Sequence, residues 1–205
     1  KAGVLAACAA ADLPVPQTTM VSNPVDDSAV AEALADFDAP VVVKPNSTTR
    51  GVGVVKVADP DSALGVTDYL DLVHDYRATG DKSFLLQAFL PDARDYRAMV
   101  LDGEYVGAVE RRLGDPNANA EGDRWKHNVH RGAEATGVDL DDDRRELVER
   151  VADVLGIDFL GVDLLVTDDR VVVTETNARP TIDAATKYEP GFYDRLAALV
   201  RSRKR

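Results

Sequence analysis

Short runs of β-branched or alternating apolar residues predict strands along the chain, and segments with apolar residues at helical spacing separate them. The predicted helices each have a capping residue or a proline near their start: 28–37, 60–77, 142–155 and 188–200. The predicted strands are 40–44, 53–57, 83–89, 96–101, 104–111, 159–166 and 171–176. Short hairpins mixed with helices favour an α+β fold over the βαβ rhythm of a parallel sheet.

The N-terminal segment has apolar residues at the spacing of a small helix, which the proline-rich stretch at 14–16 ends. A signal or lipoprotein segment is the alternative, but the apolar stretch is brief and no cationic leader precedes it. Because the chain starts at Lys1 rather than Met, we expect a segment of a longer protein. A boundary near Gln87 predicts two α+β lobes, 1–86 and 87–205.

The composition narrows the class of protein. The 205 residues are 45% hydrophobic, which is too many for a disordered chain, and no apolar run approaches the ~20 residues of a membrane-spanning helix. A formal charge of −12 disfavours nucleic acid as a partner. Cys8 is the only cysteine, so a reducing cytoplasm is expected.

The choice of charged residues suggests a saline cytoplasm. The chain has 27 Asp to 9 Glu and 17 Arg to 7 Lys. Short, strongly hydrated carboxylates and few lysines suit a surface that must stay soluble in concentrated salt. An ordinary acidic protein is the alternative.

A lysine ends the β-branched run at 41–44, and a glycine-rich loop and a second strand follow it. Glycines allow backbone N–H groups to approach phosphate oxygens, and Lys44 supplies a positive charge. Walker and dinucleotide-binding loops open into a helix, so the strand that follows disfavours both. The pattern predicts a hairpin lid over a nucleotide that includes Gly51 and Gly53. An ordinary hairpin with a solvated lysine is the alternative.

The predicted hairpin 159–177 has acidic residues within apolar strands. Pairing Thr167 with Val171 puts Asp163 opposite Glu175, and Asn177 falls on the same face. Like charges directly opposite each other are destabilising, so we expect one of the two carboxyls to have a raised pKa. Two carboxylates and an amide oxygen suit Mg²⁺. An edge hairpin with solvated acids is the alternative.

The hairpin around Asp102-Gly103 has arginines on both strands. The Asp-Gly pair predicts a two-residue type I′ turn, which puts Asp95 opposite Glu110 and Arg97 opposite Ala108. Arg112 then lies on the face of Asp95 and Arg97, and Arg111 on the other. Clustered arginines suit a carboxylate or a transferring phosphoryl group, although salt-bridged arginines are common on sheets.

Taken in order, these motifs resemble the ATP-grasp superfamily, most closely the RimK-type glutamate ligases, over essentially all 205 residues. The resemblance is carried by "LPVPQT", "PVVVKPN…RGVGVVKV", "LLQAFL", "DYRAMVLDGEYVGAVERR", "HNVHRGA", "GVDLL" and "TETNARP". It implies an α+β ATP-grasp fold whose two lobes hold the nucleotide between them. It also implies that the chain is the ATP-grasp portion only.

The resemblance also implies roles for individual residues. The nucleotide would be bound by Lys1, Lys44, the hinge at Gln87 with the backbone of Ala88 and Phe89, Asp95, and the triplet Lys126, His127 and Asn128. Mg²⁺, or alternatively Mn²⁺, would be bound by Asp163, Glu175 and Asn177. Arg97, Arg111 and Arg179 would address the acyl-phosphate or the substrate carboxylate. The acid that the family usually has at the hinge is Ala88 here, so a carboxylate role is absent there while backbone contacts remain. Members that act on ribosomal protein have a small residue at the position of Arg179, so acceptor specificity is open.

The activity implied is an ATP-dependent carboxylate–amine ligation through an acyl-phosphate, adding glutamate or a similar amino acid to a protein, peptide or coenzyme. A kinase or phosphotransferase and a non-catalytic nucleotide-binding module are the alternatives. The kinase interpretation is disfavoured, because the sequence has no His-Arg-Asp or Asp-Phe-Gly motif. The acceptor and the formation of a homo-oligomer are open.

Overall fold

A computed structural model describes residues 1–22, 27–48, 51–73, 83–113 and 133–203. Within these residues the helices are α1 (Ala2–Ala10), α2 (Asp27–Ala35), α3 (Pro60–Val73), α4 (Asp142–Leu155) and α5 (Phe192–Ser202). The strands are β1 (Thr18–Ser22), β2 (Val41–Pro45), β3 (Val55–Val57), β4 (Ser83–Ala88), β5 (Arg94–Leu101), β6 (Glu104–Leu113), β7 (Ala133–Val138), β8 (Phe159–Val166), β9 (Val171–Asn177) and β10 (Lys187–Tyr188). Helices accompany antiparallel strand pairs, so the predicted α+β class is confirmed.

The chain forms two compact units. The first contains Lys1–Ala2 and Pro16–Pro91, and the second contains Gly3–Val15 and Asp92–Arg205. The predicted division put all of residues 1–86 in one lobe. The contacts instead group most of α1 with the second unit, because Cys8 and Leu13 are buried there in a core with residues of α4, β5 and β8.

The first unit is a four-stranded antiparallel sheet in the order β1-β4-β2-β3, with α2 and α3 packed on one face. Val41 and Val43 lie on the helix-covered side, in one core with Phe84 and Leu86 of β4. Because side chains alternate along a strand, Lys44 belongs to the other face. All five residues of β2 are nevertheless buried.

The second unit is a six-stranded sheet in the order β10-β6-β5-β8-β9, and β7 also pairs with β6. Tyr96, Ala98 and Val100 of β5 join the core formed with α1 and α4, and we call their side of the sheet the helix-covered face. The alternating residues of β5 belong to the opposite side. We call that side, which carries Asp95, Arg97, Arg111 and Asp163, the charged face.

The hairpin between β5 and β6 turns as predicted but then changes register. Asp102 and Gly103 have φ values of 54° and 79°, as a type I′ turn requires. Val100 pairs with Tyr105, but Met99 pairs with Gly107, so Val106 is an extra residue. This β-bulge shifts everything beyond it by one position.

The shift corrects four predictions about this hairpin. Asp95 lies opposite Arg111 instead of Glu110, and Arg97 lies opposite Val109 instead of Ala108. Arg111 therefore joins the charged face, from which the unbulged register excluded it. Arg112, predicted on that face, lies on the other one, where it binds Glu110. The physical reason is the bulge, which gives β6 one residue more than β5 within the paired part of the hairpin.

The hairpin between β8 and β9 has the predicted pairing at its acidic residues but a different pairing at its turn. Asp163 pairs with Glu175, as expected. At the turn, however, Val171 pairs with Val166 instead of Thr167. A register shift between Asp163 and Leu164 restores the predicted pairing, so the two acidic residues face each other.

Predicted helix boundaries hold where local capping residues determine them and differ where tertiary contacts do. Helix α4 has its predicted bounds because Asp141 caps its first turn and Gly156, at φ 62°, ends it. Helix α5 begins at Phe192 instead of 188, because Lys187 and Tyr188 pair with β6. Strands β1, β7 and β10 were not predicted. Within the described residues no helix is long and apolar enough to span a membrane.

Two glycines let the chain before α5 pass directly against the sheet. A Cβ added to Gly107 would lie 2.3 Å from the carbonyl oxygen of Lys187, and one added to Gly137 would lie 2.7 Å from that of Ala185. Gly107 also has a φ of +150°, which L residues rarely adopt. The bulge and the approach of β10 therefore both depend on Gly107.

We expect Gly107→Ala to lower the free energy of unfolding by at least about 2 kcal/mol, through backbone strain and the clash with Lys187. The matched control is Gly65→Ala in α3, where an added Cβ would meet nothing within 4 Å. That variant should be neutral or stabilise the protein by up to about 1 kcal/mol. Chemical denaturation measures both, and a neutral Gly107→Ala would contradict the close approach.

Candidate functional site

The charged face of the second unit carries a cluster of two acids and two arginines. Arg97 donates to both carboxylate oxygens of Asp163, with Nε–Oδ1 and Nη2–Oδ2 distances of 2.7 Å. Arg111 lies 3.3 Å from Oδ2 of the same carboxylate through Nη2 and 3.1 Å from Oδ1 of Asp95 through Nε. We call Asp95, Arg97, Arg111 and Asp163 the carboxylate–arginine cluster.

The two acids of this cluster have opposite electrostatic environments. Burial would raise the pKa of Asp163, but Arg111 and Arg97 outweigh it and hold the pKa below its usual value. Burial dominates at Asp95 and raises its pKa to about 7, although Arg111 opposes the shift. Near neutral pH Asp163 is therefore ionised, whereas Asp95 is only partly ionised.

The predicted metal ligands belong to one hairpin. Asp163 and Glu175 pair across β8 and β9, and Asn177 lies two positions beyond Glu175, on the same face. Asn177 accepts a 2.9 Å hydrogen bond from the backbone N–H of Arg179 through Oδ1, which orients its amide. This set of oxygen donors fits a hard divalent cation.

The predicted rise in pKa through repulsion between Asp163 and Glu175 is wrong for Asp163. Its pKa is lowered, because two arginines from β5 and β6 compensate the carboxylate charge. The pairing of β5 with β8 supplies one of them, since Arg97 lies directly opposite Asp163. Removing the charge of Asp163 would therefore break ion pairs instead of relieving repulsion.

Lys44 is buried within the first unit, with 7% of its surface exposed. Its Nζ donates a 2.6 Å hydrogen bond to Oε1 of Gln87, and Nε2 of Gln87 donates a 2.8 Å hydrogen bond to Oγ1 of Thr18. The solvated-lysine alternative is thereby excluded. Thr18 was not predicted as a site residue, although it ends the motif "LPVPQT" that carries the resemblance.

Lys1 contacts the start of the glycine-rich segment. Its Nζ donates to the carbonyl oxygens of Asn46, at 3.2 Å, and Thr48. Further along the segment, Gly51 and Gly53 have φ values of 67° and 74°, so both adopt the left-handed conformation that glycine favours. At these two positions the backbone therefore depends on glycine.

The predicted hinge lies at the end of β4. The N–H of Ala88 donates to the carbonyl oxygen of Gln17 at 3.0 Å, so a backbone contact from Ala88 to a nucleotide would use its carbonyl. The ring of Phe89 lies 4.9 Å from Nζ of Lys56. Arg179 is exposed after β9. Lys126, His127 and Asn128 lie outside the described residues.

The helix-covered face carries a separate ionic group around Glu110. Arg94 donates to both of its carboxylate oxygens, at 2.8 and 3.1 Å, and Arg112 donates at 2.8 Å. The hydrogen bonds from Arg94 are the main reason that the pKa of Glu110 falls to about 2. These arginines therefore pair with an acid on the opposite face of the sheet from the carboxylate–arginine cluster.

Comparison with protein families gives a match over most of the chain. The RimK-like ATP-grasp domain matches residues 1–190. A probable alpha-L-glutamate ligase of Mannheimia succiniciproducens is 29% identical over 185 residues, which are 89% of this chain and 56% of that protein. The ribosomal protein bS6–L-glutamate ligase of Escherichia coli is 32% identical over 178 residues, 86% of this chain and 53% of that one. The chain spans about half the length of these curated relatives.

Solved structures show the same fold. The D-alanine–D-alanine ligase of Bacillus anthracis complexed with ATP gives a TM-score of 0.70 at 15% identity, covering 96% of this chain and 59% of that one. The ATP-grasp ligase PsnB, complexed with a minimal precursor, Mg and ADP, gives 0.63 at 21% identity, covering 93% and 51%. The predicted ATP-grasp fold is therefore confirmed.

We expect Asp163→Asn to lower the free energy of unfolding by about 3 kcal/mol, because the new amide places an NH₂ group against a guanidinium in a buried site. The matched control is Asp139→Asn. Asp139 pairs with Lys187 but is 53% exposed, so its loss should cost less than about 1 kcal/mol. Urea denaturation of both variants measures the difference, and an Asp163→Asn protein as stable as wild type would contradict the cluster.

Proposed function

Since the chain belongs to the RimK-like ATP-grasp family, we propose that it is the ATP-binding part of an ADP-forming ligase that joins a carboxylate to an amine. One observation carries the proposal beyond family membership. The charged face combines three oxygen donors suited to a divalent cation with two arginines, Arg97 and Arg111, suited to phosphoryl or carboxylate oxygens.

The proposed reaction has two steps. The substrate carboxylate attacks the γ-phosphorus of ATP, so that an acyl-phosphate forms and ADP is released. An amine then attacks the acyl carbon, and inorganic phosphate leaves as the amide forms and a proton is released. No covalent bond to the protein is required, so the work of the side chains is binding and charge stabilisation.

In the first unit, Lys44 would bind a phosphate of ATP, and the backbone near Ala88 and Phe89 would contact adenine. Lys44 suits this role because it is buried and already held at a defined position. Lys1 is proposed as a second phosphate contact. Gly51 and Gly53 would let the segment around them close over the phosphates.

In the second unit, Asp163, Glu175 and Asn177 would hold Mg²⁺, or alternatively Mn²⁺. A bound cation would neutralise phosphate charge. Arg97 and Arg111 would stabilise the oxygens of the acyl-phosphate, and Asp95 orients Arg111 toward that face. Asp95, Lys126, His127 and Asn128 are kept as proposed nucleotide contacts, and exposed Arg179 as a proposed contact to a substrate carboxylate.

We propose glutamate or a similar amino acid as the amine substrate, and a protein, peptide or coenzyme as the acceptor. The names of the relatives, which include a ligase for ribosomal protein bS6, support this class of substrate. The excess of Asp over Glu and of Arg over Lys supports a cytoplasm of high salt as the setting.

The test uses the full-length protein with ATP, Mg²⁺ and a glutamate-terminated peptide, with and without free glutamate. We expect ADP release that depends on free glutamate, together with a peptide heavier by one glutamyl residue in the mass spectrum. Lys44→Met and Glu175→Gln should each lower the rate at least about tenfold. The first removes a positive charge that would contact the phosphate, and the second removes a negative charge that would bind the cation. Lys187→Met, which alters an exposed lysine, is the matched control.

Two outcomes would favour the alternatives. A phosphorylated product whose amount is independent of free glutamate would indicate a kinase. ATP binding without ADP release across a panel of carboxylates and amines would indicate a non-catalytic module. Full activity in the Lys44→Met and Glu175→Gln variants would contradict the residue roles themselves.

A further inference from the structure

Beneath Lys44 a chain of hydrogen bonds crosses three strands of the first unit. The hydroxyl of Thr18 on β1 donates to the carbonyl oxygen of Pro16 at 2.8 Å. Nε2 of Gln87 on β4 donates to Oγ1 of Thr18 at 2.8 Å, and Nζ of Lys44 on β2 donates to Oε1 of Gln87 at 2.6 Å. Gln87 is only 5% exposed.

The donor-to-acceptor direction of these hydrogen bonds determines the orientation of the Gln87 amide. A carbonyl oxygen can only accept, so Pro16 obliges the Thr18 hydroxyl to donate to it and leaves the lone pairs of Oγ1 for Gln87. The amide NH₂ must then face Thr18, and the amide oxygen must face Lys44. The opposite orientation would set an NH₂ group against an ammonium group, two donors without an acceptor.

We propose that Gln87 and Thr18 are positioning residues that hold the ammonium group of Lys44 where it meets a phosphate of a nucleoside triphosphate. This inference rests on the proposed function of Lys44. A lysine side chain has several rotatable bonds, and ordering it only on binding would cost affinity. Gln87 contributes to that order in advance, because its amide oxygen accepts a hydrogen bond from Nζ of Lys44.

A purely structural role for the two residues predicts a different result. Buried hydrogen bonds stabilise the fold whether or not a ligand binds, so their loss would then lower the melting temperature without changing nucleotide affinity. A positioning role predicts a loss of affinity that disappears when Lys44 is absent. A double-mutant cycle separates the two roles.

The experiment is a calorimetric titration of the full-length protein with AMPPNP and Mg²⁺, with the melting temperature measured in parallel. We expect Gln87→Met to weaken binding about fivefold and Thr18→Val about twofold to threefold. Thr18→Ser, which keeps the hydroxyl, should bind as wild type does. In a Lys44→Met background, Gln87→Met should weaken binding less than about twofold further.

Thr67→Val is the matched control for Thr18→Val. Thr67 is a buried threonine of the same unit whose hydroxyl also donates to a backbone carbonyl, that of Leu64. Its replacement should lower the melting temperature by a similar amount and leave the affinity unchanged. The Thr18→Val and Thr18→Ser pair decides the question if Gln87→Met fails to fold.

Several results would overturn the inference. If Lys44→Met weakens binding and the Gln87 and Thr18 variants do not, positioning fails and the proposed function stands. If Gln87→Met weakens binding equally with and without Lys44, Gln87 acts on another group and the inference fails. If Lys44→Met itself binds as wild type does, the proposed role of Lys44 fails and takes the positioning role with it.

Discussion

One extra residue in β6 determines which charges meet on the second unit. Val106 has no partner of its own in the β5–β6 ladder, and beyond it every pairing is displaced by one position. A displacement of one residue moves a side chain to the other face of a strand. Arg111 therefore faces Asp95 and Asp163, and Glu110 faces Arg94 and Arg112. Each arginine meets an acid on its own side of the sheet.

Each unit has a buried charged side chain, Asp163 in the second and Lys44 in the first, and hydrogen-bonding partners of different kinds surround them. In the second unit Asp163 keeps its charge in a buried position because two guanidinium groups compensate it, and without them burial would favour the neutral acid. In the first unit the neighbour of Lys44 along the hydrogen-bond chain is a neutral amide, itself fixed by Thr18. In both units a buried charged group therefore has hydrogen-bonding partners at defined positions.

The sequence predicted what local chemistry decides. Asp141 and Gly156 mark both ends of α4, and Asp102-Gly103 specifies the turn between β5 and β6. Lysine at the end of a valine run indicated a side chain in an unusual environment, and Lys44 is indeed buried and hydrogen-bonded to Gln87. The register beyond Val106 was not predicted. Gly107 was the available sign, because an isolated glycine inside a strand often marks a bulge. That sign alone does not specify which neighbouring residue is the extra one. Strands β1 and β10 were missed because pairing with a neighbour, and not their own pattern, makes them strands.

The most direct test of the bulged register is a pair of double-mutant cycles on the free energy of unfolding. They are measured at pH 8, above the pKa of about 7 of Asp95. One cycle combines Arg111→Met with Asp95→Asn, and the other combines Arg111→Met with Glu110→Gln. We expect a coupling of about 1–3 kcal/mol in the first cycle and less than about 0.5 kcal/mol in the second. Coupling of Arg111 to Glu110 without coupling to Asp95 would contradict the bulge and the site built on it.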